Sequence, residues 1–353
     1  MHMIDFAERK ADFMGWFEKN HGLLENRIRR GDFSGANEMM QKRLSDVLPG
    51  VPFRFSRLKK DDTFLLEFNT QLIPTIKAVV LSVCGSLPEN LMDTWQFCAS
   101  HPACRGTFEM DGKEYTAEDI LLYPKYDDQK RKVSLLVEKT EKLKALSDKE
   151  VFTVIYVLLT DYIGENAVTS YAGQIQFLGG LNKLKYKKET PLNMAEFADS
   201  FAERIREAGW PDPEKLELAA QSYKAKTSSY EIRSDITEGT TLCPDLLSEE
   251  GLPQKPRHEI LKKCGIGLYS ASASFDYDMS KDEKKSDQIR LEKQLRAVLD
   301  DTGRGMVINT AVGNAHCYGD YMLFDQNAIP ELQKLMSDHF QDGRILNLLK
   351  EDL

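Results

Sequence analysis

Gly305-Met-Val-Ile-Asn-Thr-Ala-Val-Gly-Asn-Ala-His-Cys-Tyr-Gly-Asp-Tyr-Met-Leu-Phe-Asp325 reads as two strands joined by a turn of small residues. Alternation carries that reading, because side chains two apart on a strand share a face. A helix follows from Asn327 to about Phe340, with Ile329, Leu332, Leu335 and Met336 on one stripe. Upstream, Ile266 to Tyr277 reads as a strand. Ser280-Lys-Asp-Glu283 is a capping box opening a helix whose apolar face is Leu291, Leu295, Val298 and Leu299. The order strand, helix, strand, strand, helix points to an α+β unit with an antiparallel sheet.

The middle of the chain has a similar order. Val133 to Val137 is a strand candidate. Ser147-Asp-Lys-Glu150 caps a helix carrying Val151, Val154, Ile155, Leu158 and Leu159, and Gly164 ends it. Val168 to Phe177 reads as a returning strand. A further helix starts at Asn193-Met-Ala-Glu196. Asp111-Gly112 marks a tight hairpin, since both positions tolerate positive φ. Thr116-Ala-Glu-Asp119 resembles a helix start. Nearer the N-terminus, Phe53–Arg57 and Leu66–Phe68 form a hairpin ahead of a helix from about Leu72 to Val83. Residues 4–47 carry helical spacing broken at Gly31–Gly35. The segment from Lys226 to Arg257, rich in Ser, Thr, Gly and Pro, reads as an irregular connector.

The expected fold is therefore α+β: two α/β-sandwich-like units with largely antiparallel sheets covered by helices, plus an N-terminal helical segment. The expected boundaries are 1–48 for that segment, 49–225 for the first α+β domain, and 226–353 for the connector and second domain. A length of 353 residues, 41% hydrophobic and 29% charged, supports more than one core without disulfides. The net charge of −9 argues against nucleic acid, whose affinity comes from Lys and Arg. Lys183, Lys185, Lys187 and Lys188 read as a solvated patch. The six cysteines form no Cys-x-x-Cys pair, and no export signal or membrane-spanning stretch is visible. A cytoplasmic protein with reduced thiols is expected.

Three clusters could carry chemistry. Asn314, His316, Tyr318 and Asp320 share one strand face, where a His beside a carboxylate could act as a base. The reading adopted is the solvent-facing side of an edge hairpin, with Ala315, Cys317, Gly319, Tyr321 and Leu323 turned to the core. Gly313 and Gly319 suggest a bulge or close backbone approach. Cys98, His101 and Cys104 could supply three zinc ligands or a Cys–His dyad. No fourth ligand lies close in sequence, so a packed turn behind Trp95 is expected, with no metal or cofactor. Arg233 and Asp235, two apart in an extended segment, could pair with each other or hold a ligand. A connector fixed by local hydrogen bonds is expected. No phosphate-binding loop, dinucleotide fingerprint, zinc-protease or nucleophile-elbow motif occurs.

Trp95-Gln-Phe with Phe108-Glu-Met-Asp-Gly-Lys-Glu-Tyr115, the Arg233–Leu247 connector and Tyr318-Gly-Asp-Tyr-Met-Leu-Phe-Asp325 together resemble a family of uncharacterised bacterial cytoplasmic proteins. That family is similar in type to regulators of ribonuclease E activity and to immunity-type proteins. The resemblance implies a fold type and a bacterial setting, and assigns no catalytic residues. The sequence thus leads to a non-catalytic macromolecule-binding protein, regulatory or immunity-like, whose partner is another protein. The alternative is an enzyme or small-ligand-binding protein with a pocket near His316 and Asp320.

Overall fold

A computed structural model describes residues 5–58, 62–178, 190–213, 218–247, 258–276 and 278–349. The lysines at 183–188 lie outside the described residues. Among the described residues the fold is mixed α+β with four largely antiparallel sheets. The chain forms two compact units that differ from the sequential division expected. One combines residues 1–99 with 218–353; the other is residues 100–217. The N-terminal helices are therefore part of the unit that holds the C-terminal sheet. Hydrophobic burial explains the correction. Phe6 and Phe17 share a core with Leu268, Ile308, Met322 and Phe324, and the Phe6 and Phe324 rings lie 5.3 Å apart.

The centre of the first unit is a six-stranded antiparallel sheet. Its strands run in the order Gln221–Lys224, Ile236–Thr241, Gly305–Gly313, His316–Leu323, Gly267–Ser274 and Arg344–Asn347. The expected hairpin is there. One of its faces carries Val307, Cys317, Tyr321 and Leu323 and packs on helices Lys281–Leu299 and Ile329–His339. The Ser280 capping box forms as the sequence suggests.

The opposite face is also covered, which corrects the expectation of a solvated strand face. Met322 and Leu268 meet the N-terminal helices and the three-stranded sheet made by Phe53–Leu58, Thr63–Phe68 and Trp95–Cys98. Trp95 is fully buried there, stacked on Phe64 at 5.1 Å. Farther along, the connector and the strand just before it provide the cover. Ile232 and Tyr223 pack on Ile236, Ala311 and Tyr318. Nor is that connector irregular throughout, since Ile236–Thr241 is an interior strand paired with Gly305–Gly313.

The second unit has a four-stranded sheet ordered Ala172–Phe177, Lys132–Lys139, Ile120–Asp127 and Leu192–Asn193. Helix Asp148–Ile163 buries Val151, Val154, Ile155, Leu158 and Leu159 in its core. The Ser147–Glu150 capping box starts this helix, and Gly164 ends it at φ +82°. The returning strand begins later than expected, because Glu165–Tyr171 is helical and only Ala172–Phe177 is extended. The capping box at Thr116 forms, but it opens only a three-residue turn before strand Ile120–Asp127.

Candidate functional sites

In the first unit, two of the sequence clusters merge into one network. Asp235 is fully buried. Its Oδ2 accepts the backbone N–H groups of Ala315 at 2.8 Å and His316 at 3.0 Å, and lies 3.2 Å from His316 Nδ1. Its Oδ1 accepts the Tyr318 hydroxyl, which in turn accepts the Arg233 N–H at 2.8 Å. Arg233 Nη1 reaches Asp320 Oδ1 at 2.6 Å and Ser270 Oγ at 3.1 Å. Asn309 Nδ2 donates to Asp320 Oδ2 at 2.8 Å, and Tyr223 donates to Asn309 at 3.2 Å. The Asn314 side-chain amide donates to the Ser229 carbonyl at 2.7 Å.

A β-bulge makes this assembly possible. Val307 faces Tyr321 and Asn309 faces Asp320, so Ile308 is the extra residue that turns Asn309 onto the Asp320 face. Gly313 allows Asp235 to come close, because a Cβ there would lie 2.3 Å from its Oδ2. Arg233 takes φ +71°, a left-handed conformation costing roughly 1 kcal/mol or more for a residue with a Cβ. Its backbone bond to Tyr318 and its ion pair with Asp320 hold it there.

Tyr318 is 0% and Asp320 2% exposed, while the His316 side chain keeps 17%. Burial pulls the Arg233 guanidinium downward in pKa, and the Asp320 charge and hydrogen bond outweigh it, so the net direction is up. Burial likewise pushes the Tyr318 phenol far up, and its bond to Asp235 adds to the effect. His316, Tyr318 and Asp320 thus converge with Arg233 and Asp235 and are bonded to that pair, while the Asn314 side chain turns to the Ser229 carbonyl. The adjacent cavity, bordered by Thr241, Cys243, Asn309 and Asp320, measures about 10 Å³. That is room for about one water molecule.

The second unit gathers a different cluster. His101 Nε2 lies 2.7 Å from Asp161 Oδ1 and 3.4 Å from Cys104 Sγ. Asp161 comes from the last turn of helix Asp148–Ile163. It replaces Cys98 as the third member of the expected set. Cys98 belongs to strand Trp95–Cys98 of the first unit, where burial and then the Glu67 charge push its thiol up to about 12. Backbone bonds fix the loop that carries His101 and Cys104. The Cys104 and Arg105 N–H groups both donate to the Asp161 carbonyl, at 2.8 and 2.9 Å. The His101 N–H donates to Glu165 Oε2 at 3.0 Å, and the Glu165 N–H donates to the His101 carbonyl at 2.9 Å. Sequence spacing pairs His101 with Cys104 but gives no signal for Asp161, 60 residues away from His101.

Family models, curated proteins and solved structures were compared with the chain, and none matches.

Proposed function

We propose that the chain is a non-catalytic macromolecule-binding protein of regulatory or immunity-like type in the bacterial cytoplasm, and that its partner is another protein. One surface carries this reading. On helix Asp148–Ile163, whose inner face is core, Phe152 and Tyr156 stand one turn apart on the outer side, 38% and 37% exposed. The Phe177 ring packs on Phe152 at 4.8 Å, and Lys139 Nζ sits 4.4 Å over Phe177. Rigid aromatic side chains on regular structure are the residues that dominate protein–protein binding energy. Among the described residues, no single helix is long and apolar enough to cross a membrane. The net charge of −9 speaks against a polyanionic partner.

The alternative, a pocket near His316 and Asp320, needs space for a substrate. The packing described above favours the binding reading over it, because those side chains are committed to each other beside a water-sized cavity. Crosslinking of the purified full chain in native lysate identifies the partner, and titration calorimetry then measures its affinity. F152E/Y156E should weaken that complex by about 30-fold or more while leaving the circular dichroism spectrum unchanged. Equal affinity in the folded variant, or recovery of small metabolites alone, overturns the proposal.

A further inference from the structure

We infer that His101, Cys104 and Asp161 form a zinc-binding site in the second unit, with a fourth position open to water. The donor atoms Nε2, Sγ and a carboxylate oxygen all lie within 4.8 Å of one another. A tetrahedral ion with bonds of about 2.0–2.3 Å spaces its ligand atoms about 3.3–3.7 Å apart. The His101–Cys104 separation of 3.4 Å already meets that spacing. The His101–Asp161 separation of 2.7 Å is that of a hydrogen bond, and it would open by about 0.6 Å around an ion.

Connectivity separates a metal site from a catalytic dyad. In a nucleophile relay, the carboxylate holds one ring nitrogen and the nucleophile addresses the other. Here Asp161 and Cys104 both address Nε2. One nitrogen cannot donate its single proton to the carboxylate and also take the thiol's proton. Convergence of nitrogen, sulfur and oxygen on one point is what a shared cation requires. Thiolate, imidazole and carboxylate suit a borderline ion, and two negative ligands neutralise its charge. On binding, the Cys104 S–H bond breaks, the sulfur bonds zinc, and the proton passes to solvent.

The surroundings are built for this. The loop is clamped by main-chain bonds and by the Glu165 carboxylate, so the donors are held before an ion arrives. Gly106 keeps one side open, since a Cβ there would lie 3.0 Å from Asp161 Oδ2 and 3.8 Å from Cys104 Sγ. Cys104 is exposed, which gives an ion access and water a coordination position.

Cobalt(II) is the first probe. Titrated into the chelator-treated full-length chain, it should give one equivalent of a tetrahedral spectrum with a sulfur-to-cobalt charge-transfer band. Zinc should displace it. C104S should abolish the charge-transfer band, and H101A or D161N should weaken binding by about 100-fold. D161N keeps the backbone carbonyl that clamps the loop, so its fold is retained. C98A should bind as the parent does. If C104S fails to fold, zinc protection of Cys104 from iodoacetamide in the unmutated chain, mapped by mass spectrometry, decides the matter. A charge-transfer band that persists in folded C104S, or Cys104 alkylated equally fast with and without zinc, overturns the site.

Discussion

Removing the Asp320 carboxylate should open the C-terminal hairpin far more than removing the whole ion pair. Asp320 is buried, and it accepts from Arg233 at 2.6 Å and Asn309 at 2.8 Å. D320A leaves a buried guanidinium without its counter-charge and frees a buried amide donor. Breaking a buried pair from one side costs about 3–5 kcal/mol, and the orphaned donor adds roughly 1 kcal/mol. R233M should cost a similar amount, because it strands the carboxylate. The double variant R233M/D320L removes both charges. It also removes Arg233 Nε and Nη2, which are buried with no hydrogen-bond partner among the described residues. Its cost should stay within about 1–2 kcal/mol, since apolar replacements of a buried pair are often neutral. Hydrogen exchange of peptides spanning 305–323, read by mass spectrometry, reports local opening whether or not the two units unfold together. A cost of about 4 kcal/mol corresponds to roughly 10³-fold faster exchange in each single variant. The double should lie within about 30-fold of the parent. Single variants within tenfold of the parent, or a double as fast as the singles, would refute the claim that the two charges hold each other.

Glycine contacts and thiols provide two more tests. G313A should destabilise the hairpin by about 1–3 kcal/mol, because its Cβ would press on the fixed Asp235 carboxylate; G319A should cost less, since it meets the flexible tip of Leu295. Thermal melts giving the reverse order would contradict this. Burial pushes the thiols of Cys98, Cys264 and Cys317 up to about 12, so at pH 8 they stay protonated and resist iodoacetamide, while exposed Cys104 reacts. The sign follows for stability. The folded state keeps protons that unfolded thiols release near pH 8.5, so stability falls as pH rises from about 8.5 toward 12. Rapid native alkylation of Cys317 at pH 8 would rule this out.

Local signals were the legible part of the fold. Capping boxes at Ser147, Asn193 and Ser280 place three helix starts correctly. Asp111-Gly112 places its hairpin, and the alternation of Gly305–Leu323 places another. Gly313 and Gly319 suggest a bulge or a close backbone approach; the bulge lies at Ile308, and the two glycines admit the Asp235 carboxylate and the Leu295 side chain. What failed was the choice between covered and open faces. Alternation tells which residues share a face, and says nothing about whether a segment 85 residues upstream lies on it. Tyr318 is buried because the backbone of Arg233 reaches its hydroxyl from that distance. Strand Ile236–Thr241 was hidden for a related reason. Its threonines favour a strand, but Glu238 and Gly239 interrupt the run, and pairing with Gly305–Gly313 supplies the order.

The two histidines singled out from the sequence show how neighbours decide a role. His316 sits beside Asp235, whose two carboxylate oxygens accept two backbone N–H groups and the Tyr318 hydroxyl as well as facing the ring. A carboxylate so occupied cannot turn to a ligand without breaking the hairpin's end. His101 Nε2 faces the Asp161 carboxylate, with an exposed thiol at the same nitrogen and a glycine leaving space alongside. Main-chain bonds to the Asp161 carbonyl and bonds with Glu165 help fix its loop, and none of these uses the three donor atoms. A polar cluster can bind something else only where the fold does not depend on its side chains. By that criterion the dense hairpin cluster serves the fold, and the sparser one on the His101–Gly106 loop is where the proposed zinc site would leave the scaffold intact.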